Sequence, residues 1–243
     1  MDIKEEQILG SSVDRHWYYV SKIKAMQMLL QPLAQVNILD VGAGSGVFSK
    51  FLLATHLAAS ARCVDTAYPF DEKSEIHHHK TIHFVKSVAH IDESVILMID
   101  VLEHIDDDLN FLKQYVDLMP GGSYVLMSVP AFPFLWSGHD VFLEHKRRYT
   151  LSELEILAQK SGLNVLQGRY FFGLLFPLIA AMRMANRWLL KTGKGAAKSD
   201  LKKTPELVNT LLIQIHSLEL KTLFTWNRVA GLTAFCLAQK GWP

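Results

Sequence analysis

Apolar residues recur at helical spacing through Ile23, Met26, Leu29 and Leu30 before Pro32 breaks the pattern, which predicts a helix within the first thirty residues. Strands and helices then alternate. Residues 37–41 form a short apolar run of buried-strand type, and 47–57 return to a helical period. Further strands are predicted over 62–65, 81–85 and 95–99, the last followed by Asp100. A helix over 107–118 carries acids in its first turn, where the macrodipole favours them. Pro120, Gly121 and Gly122 turn the chain into a fifth strand, 123–129. Repeated βα units of this length call for a parallel sheet with helices on both faces, so the predicted class is α/β.

Beyond residue 130 the rhythm changes. Thr150 and Glu153 have capping-box spacing and start a helix that ends near Ser161 and Gly162. One strand is expected at 165–167 and a last one at 231–238, separated by an excursion of about fifty residues. A late strand pair of this kind suggests an antiparallel addition at the sheet edge.

The chain has 243 residues with 49% hydrophobic, 10% aromatic and 20% charged positions, which excludes disordered, collagenous and disulfide-scaffold classes. The first six residues lack the basic flank and apolar core of a signal peptide, and two cysteines suit a reducing compartment, so a cytoplasmic address is expected. Net charge is +1, but Arg169 to Lys203 holds eight basic residues against one acid, which points that segment toward an anionic partner.

The richest signal is Asp40-Val-Gly42-Ala43-Gly44-Ser-Gly46, between the first strand and its helix. Glycines let backbone approach a ligand, and the helix N-terminus offers free N–H groups. A dinucleotide fingerprint needs glycine at position 47, where this chain has Val47; the spacing is G-x-G-x-G. With Asp40 at the strand end, the segment resembles motif I of class I S-adenosylmethionine-dependent methyltransferases. Asp65 stands where that family places an acid for the ribose hydroxyls, and Ile99-Asp100-Val101-Leu-Glu103-His104 is similar to the motif flanking the methionine part of the cofactor. The Pro-Gly-Gly turn matches as well.

The resemblance spans about 36–130 and implies S-adenosylmethionine as cofactor, with Asp40, Gly42, Ala43, Gly44, Gly46, Asp65, Asp100 and Val101 around it. Ser87 stands where the family often has an acid or amide beside the adenine. The implied fold is a doubly wound, mostly parallel seven-stranded Rossmann-like sheet with a helical insertion before the last strand. In that fold Cys63 and Cys236 lie on separated strands, which disfavours a disulfide between them. The expected organisation is one domain: an N-terminal helical lid (1–35), a cofactor core (36–168), a helical cap (169–227) and a final strand (228–243).

A sulfonium cofactor carries its own activated methyl group, so the protein must chiefly align acceptor, carbon and sulfur and exclude water. Asp100, Glu103 and His104 at i, i+3 and i+4 would share one face of a helical turn. Two carboxylates and an imidazole have the donor chemistry for a divalent ion, and some ubiquinone-pathway O-methyltransferases look similar there. The plainer reading has Glu103 and His104 begin the next helix over the cofactor, and no metal is assigned. His104, His139 and His145 are the catalytic candidates. The last two lie in a His-Asp and His-x-Arg-Arg-Tyr run resembling a bacterial branch of the type 11/12 methyltransferases, just beyond the fifth strand, where doubly wound sheets bind ligands. Arg147 and Arg148 would either hold an anionic group or anchor the loop. His77, His78 and His79 read as a solvated loop. His16 to Tyr19 resembles the aromatic lead-in of related enzymes, or is ordinary packing.

Residues 170–190 are strongly apolar, yet Pro177, Arg183 and Arg187 argue against a membrane span. Peripheral contact with an anionic inner-membrane surface through 170–203, a lid over a greasy acceptor, and plain core are the three readings. The predicted activity is methyl transfer to a small or amphipathic, lipid-like acceptor. A nucleotide-dependent oxidoreductase and a cofactor-binding protein without turnover are the alternatives. Nucleic acid is not expected, because no basic stripe interleaved with aromatics and no Asn-Pro-Pro-Tyr-type motif appears.

Overall fold

The structure, a computed structural model, describes residues 9–33, 35–191 and 204–242. After a 3-10 turn, helix α1 (Trp17–Leu30) opens on His16, whose ring Nδ1 accepts the Tyr18 amide. Its buried face carries Tyr19, Lys22, Ile23, Met26, Leu29 and Leu30. There follow β1 (Val36–Val41), α2 (Val47–Ala54), β2 (Ala58–Val64), β3 (Glu72–His77), β4 (Lys80–Val85) and β5 (Val95–Ile99). Then come α3 (Asp108–Leu118), β6 (Tyr124–Pro130), α4 (Gly138–Phe142), α5 (Leu151–Lys160), β7 (Leu163–Phe171), α6 (Phe176–Lys191), α7 (Glu206–Thr222) and β8 (Thr233–Lys240).

The eight strands form one sheet in the order β3-β4-β2-β1-β5-β6-β8-β7. Pairs β1–β2, β1–β5, β2–β4 and β5–β6 are parallel, whereas β3–β4, β6–β8 and β7–β8 are antiparallel. Alternation along β1 sends Ile38 into one core with α1, α2 and α7, and Leu39 and Val41 into the other with α3 and α5. Both faces are covered, as a parallel sheet requires. The chain moves one way from β1 through β2 and β4, then the other way through β5 and β6. The reversal therefore lies between β1 and β5.

The extra strand relative to the seven expected is β3. It is a polar edge strand joined to β4 through His78 and His79, both at positive φ (48° and 62°). Two residues at positive φ make a type I′ hairpin turn, and histidine hides the usual Asn-Gly signal. His77 thus closes β3 while His78 and His79 form the exposed turn, rather than a loop of three. Helix α2 stops at Ala54, short of 57, because the Thr55 hydroxyl donates to the Phe51 and Leu52 carbonyls and His56 turns to φ 60°. Strand β7 is longer than expected, running from Leu163 to Phe171. Cys63 and Cys236 are buried and free. No helix among the described residues is long and apolar enough to cross a membrane. Lys194, Lys198, Lys202 and Lys203 of the basic segment lie outside the described residues.

Candidate active site

Leaving β1, the chain crosses the reversal point through Gly42, Gly44 and Gly46, all left-handed with φ 66°, 55° and 73°. The Gly42 and Ala43 amides donate to the Val64 carbonyl, and Gly46 begins α2. A Cβ on Gly42 would stand 2.7 Å from Val101 Cγ2, so that glycine is what lets the turn approach the end of β5. Behind the turn Asp40 is buried and accepts the Ser49 hydroxyl at 2.8 Å. Burial pushes its carboxyl up to about 6 against the opposing effect of that hydrogen bond.

Asp65 follows β2. One carboxylate oxygen accepts the Gly44 amide at 3.0 Å and the other the Ala67 amide at 2.9 Å. The Tyr68 hydroxyl donates to the Gly44 carbonyl at 2.7 Å, fixing the loop on its other side. Ser87 is exposed two residues after β4.

At the end of β5 Asp100 is left-handed (φ 54°), with its amide on the Ser128 carbonyl and its Oδ1 accepting the Ser128 hydroxyl. Its Oδ2 accepts the ammonium of Lys22, a side chain with no exposure at all. Lys22 also donates to the Tyr18 hydroxyl, which donates in turn to Asp100. Burial alone would push the Asp100 carboxyl up, but the ammonium outweighs it and holds the group below the usual carboxylate range. Tyr18 belongs to the aromatic lead-in that the sequence singles out, whereas Lys22 is a candidate site residue that the sequence reading missed.

The expected face of Asp100, Glu103 and His104 does not form. The left-handed Asp100 precedes a 3-10 turn (Leu102–His104) rather than a helix, and Lys22 claims its carboxylate. The structure gathers Glu103, His104 and His145 instead, with one ligand atom of each within 4.8 Å of the others. Glu103 is buried, and its Oε2 has no hydrogen-bond partner among the described residues. Burial, reinforced by nearby Asp100, pushes its carboxyl well up. Burial likewise pushes the His104 imidazole down to about 4, with His145 adding to the effect.

His145 is held by Asp140, the wholly buried acid of the α4 capping box. Asp140 accepts His145 Nδ1 at 3.0 Å, Arg148 Nε at 2.6 Å and the Ser137 amide at 2.8 Å. Burial opposes its ionisation, yet the His145 hydrogen bond and Arg148 hold it well below the ordinary carboxylate range. His139 lies at the start of α4, its ring 6.3 Å from that of His145. The two arginines anchor the loop. Arg148 also donates to the Ala131 carbonyl, Arg147 reaches Asp108 and the Asp106 carbonyl, and the Tyr149 hydroxyl reaches Asp108.

Just beyond β6 the ring of Phe132 stacks on Tyr170 at 4.8 Å and meets Phe176 of α6 at 5.5 Å, with Phe134 beside them. Arg183 of α6 donates to the Leu135 carbonyl. Helix α6 therefore borders the loop that follows β6.

A parallel sheet with a glycine turn at its reversal point and an acid ending the next strand defines an α/β enzyme that binds a nucleoside-bearing cofactor. Residues 15–168 match the methyltransferase domain, and the chain belongs to that family: it is a class I methyltransferase that uses S-adenosylmethionine. No curated protein matches the chain.

Among solved structures, it is similar to a chain of the Haloferax volcanii complex between the Trm112 methyltransferase activator and a methyltransferase (13% identity, 100% of this chain and 96% of that one, TM-score 0.56). A SAM-dependent methyltransferase from Archaeoglobus fulgidus is 16% identical over 98% of each chain, with TM-score 0.51. At these identities the likeness is one of fold.

Proposed function

We propose that this methyltransferase acts on a small, partly apolar acceptor carrying a protic heteroatom, held beyond the carboxyl ends of β5 and β6. What supports the reading is that the loops leaving these strands carry both a polar group, Glu103, His104 and His145, and an aromatic cluster, Phe132, Phe134 and Phe176. The first would orient a heteroatom and the second would shelter a carbon skeleton from water.

The donor set around the glycine turn fits the cofactor. An ionised carboxylate has about four lone-pair sites, and backbone amides use two on Asp65, which leaves two for the ribose diol. Gly42, Ala43, Gly44 and Gly46 line the approach under Val101, with Asp40 buried behind them, and Ser87 takes the adenine side. Asp100, one-fifth exposed and braced by the buried Lys22, offers its carboxylate to the ammonium of a methionyl group. When bound, the cofactor supplies an activated methyl on its sulfonium. The chain orients the acceptor through His104 and His145, with His139 beside them, and excludes water with α1 as a lid and α6 as a cap.

Calorimetric titration with S-adenosylhomocysteine, with NADH as the comparison, tests this placement. Micromolar binding of the first alone is expected. Asp65→Ala should weaken it by about 1–3 kcal/mol through lost charged hydrogen bonds. Unchanged affinity in that variant would remove the ribose role.

Helix α6 exposes Leu178, Met182 and Met184. With the basic residues that follow in sequence, they favour peripheral contact with an anionic membrane through 170–203, where an amphipathic acceptor would be collected. Co-sedimentation with phosphatidylserine-containing liposomes is expected and should decline as salt rises. No sedimentation at low salt would dismiss the contact.

A further inference from the structure

We propose that Glu103, His104 and His145 form a binding site for a divalent first-row transition-metal cation of the zinc or manganese kind. The proposal deepens the acceptor reading above and rests on it, since the ion would hold the acceptor's hydroxyl.

Three observations carry it. The three side chains offer one ligand atom each, all within 4.8 Å of one another. Donors about 2.1 Å from a shared tetrahedral ion stand about 3.4 Å apart, so the triad closes on one with side-chain shifts of about an ångström. Second, Glu103 is only 1% exposed, and its Oε2 finds no hydrogen-bond partner among the described residues. Buried carboxylate oxygens are seldom left unpaired without a reason, and a ligand bond supplies one.

Third, the second layer has the form that metal-bound histidines require. Asp140 accepts from Arg148 and from the Ser137 amide, so it meets His145 as an acceptor, and His145 Nδ1 must carry the hydrogen between them. Nε2 is then the nitrogen with a free lone pair. The Lys146 amide donates to the Glu103 carbonyl at 2.6 Å, tying the loop that carries His145 to the turn that carries Glu103 and His104.

The arrangement also departs from the ligand set that sequence spacing suggests. Asp100 is bound by Lys22 and is not available as a ligand. Two imidazoles and one carboxylate remain, a set that suits zinc, manganese or ferrous iron and keeps coordination positions open. An acceptor hydroxyl entering an open position loses its proton to water more readily. Its oxygen then attacks the methyl carbon: the C–O bond forms as the C–S bond breaks, and the departing electron pair leaves sulfur as a neutral thioether. A phenolic or enolic hydroxyl is the acceptor class that best suits this chemistry.

The test uses the full chain, stripped with a chelator and titrated with zinc chloride and cobalt chloride without cofactor or acceptor. One equivalent of each is expected, and the cobalt form should show visible ligand-field bands. Glu103→Gln and His145→Gln should each weaken binding at least 100-fold, while replacing His77, His78 and His79 together by alanine should leave it intact. X-ray absorption of the zinc-loaded unaltered protein should count two imidazoles, a readout that does not depend on any variant folding.

Absence of a stoichiometric cobalt spectrum overturns the proposal. So does binding that survives Glu103→Gln and His145→Gln and disappears with the histidine turn. S-adenosylhomocysteine binding, measured separately, distinguishes the two failures: if it is lost while zinc still binds, the cofactor reading fails and the metal site stands.

Discussion

Replacing Lys22 with methionine is expected to lower folding stability by about 3 kcal/mol, because removing one member of a buried ion pair leaves the other charge uncompensated. Lys22 is wholly buried and points from α1 at Asp100, and its stem packs in the core that α1 shares with the sheet. Methionine keeps much of that stem, so packing is largely conserved and the lost charge dominates. Asp100 keeps the Ser128 and Tyr18 hydroxyls and is one-fifth exposed, which places the loss at the low end of the usual 3–5 kcal/mol. Lys22→Met combined with Asp100→Asn should recover most of it, since no unpaired charge then remains. Urea denaturation of the four proteins in the cycle measures the coupling. A double variant less stable than Lys22→Met would mean that packing, not charge, sets the effect.

The same substitution separates the parts of the cofactor. Affinity for S-adenosylhomocysteine should fall at least tenfold, whereas affinity for methylthioadenosine, which lacks the amino-carboxylate end, should hardly change. Equal losses for both would place Asp100, which Lys22 braces, away from the methionyl group.

Why the sequence shows some of this site and conceals the rest follows from where each contact is encoded. Strand β5 matches its expected bounds, 95–99, because five apolar residues between polar flanks suit only a strand buried on both faces. The glycine turn and Asp65 are legible for a similar reason: their chemistry lies within a few residues of the strand that positions them. Lys22 is different. Its partner is 78 residues away, and a lysine on a helix ordinarily reads as solvated surface. The available signal was its place in the stripe of Tyr19, Met26 and Leu29, a cation at helical spacing among apolar residues.

Glu103 and His145 meet for an equally non-local reason. The chain leaves β6, forms the short α4, and returns to bridge Ala131 with Tyr149, bringing His145 over the end of β5. Helix α4 has only five residues, too few for hydrophobic periodicity to register, although Ser137 and Asp140 carry its capping box in plain view. Asp100 is the opposite case. Its i, i+3, i+4 spacing was visible but misleading, because a left-handed residue at the strand end interrupts any helical face.

Gly44→Val is expected to reduce S-adenosylhomocysteine affinity at least 100-fold, about 2.7 kcal/mol, at a smaller cost to folding. Gly44 has φ 55°, and its two flanking glycines in the motif are also left-handed. A β-branched residue there is strained by about 1–2 kcal/mol, and the turn escapes that strain by rotating toward extended backbone. Rotation removes the Gly44 amide from Asp65 and its carbonyl from the Tyr68 hydroxyl, the two contacts that aim the turn. Asp65 then loses the orientation that its proposed ribose role needs, and a branched side chain stands where backbone alone was to meet the ligand. Gly44→Ala, with the same φ penalty in milder form and less bulk, should fall between the two proteins. Calorimetry beside thermal unfolding separates the effects: a folded Gly44→Val with unchanged affinity would move the cofactor off the β1–α2 turn altogether. A graded loss of affinity from glycine through alanine to valine would locate it there.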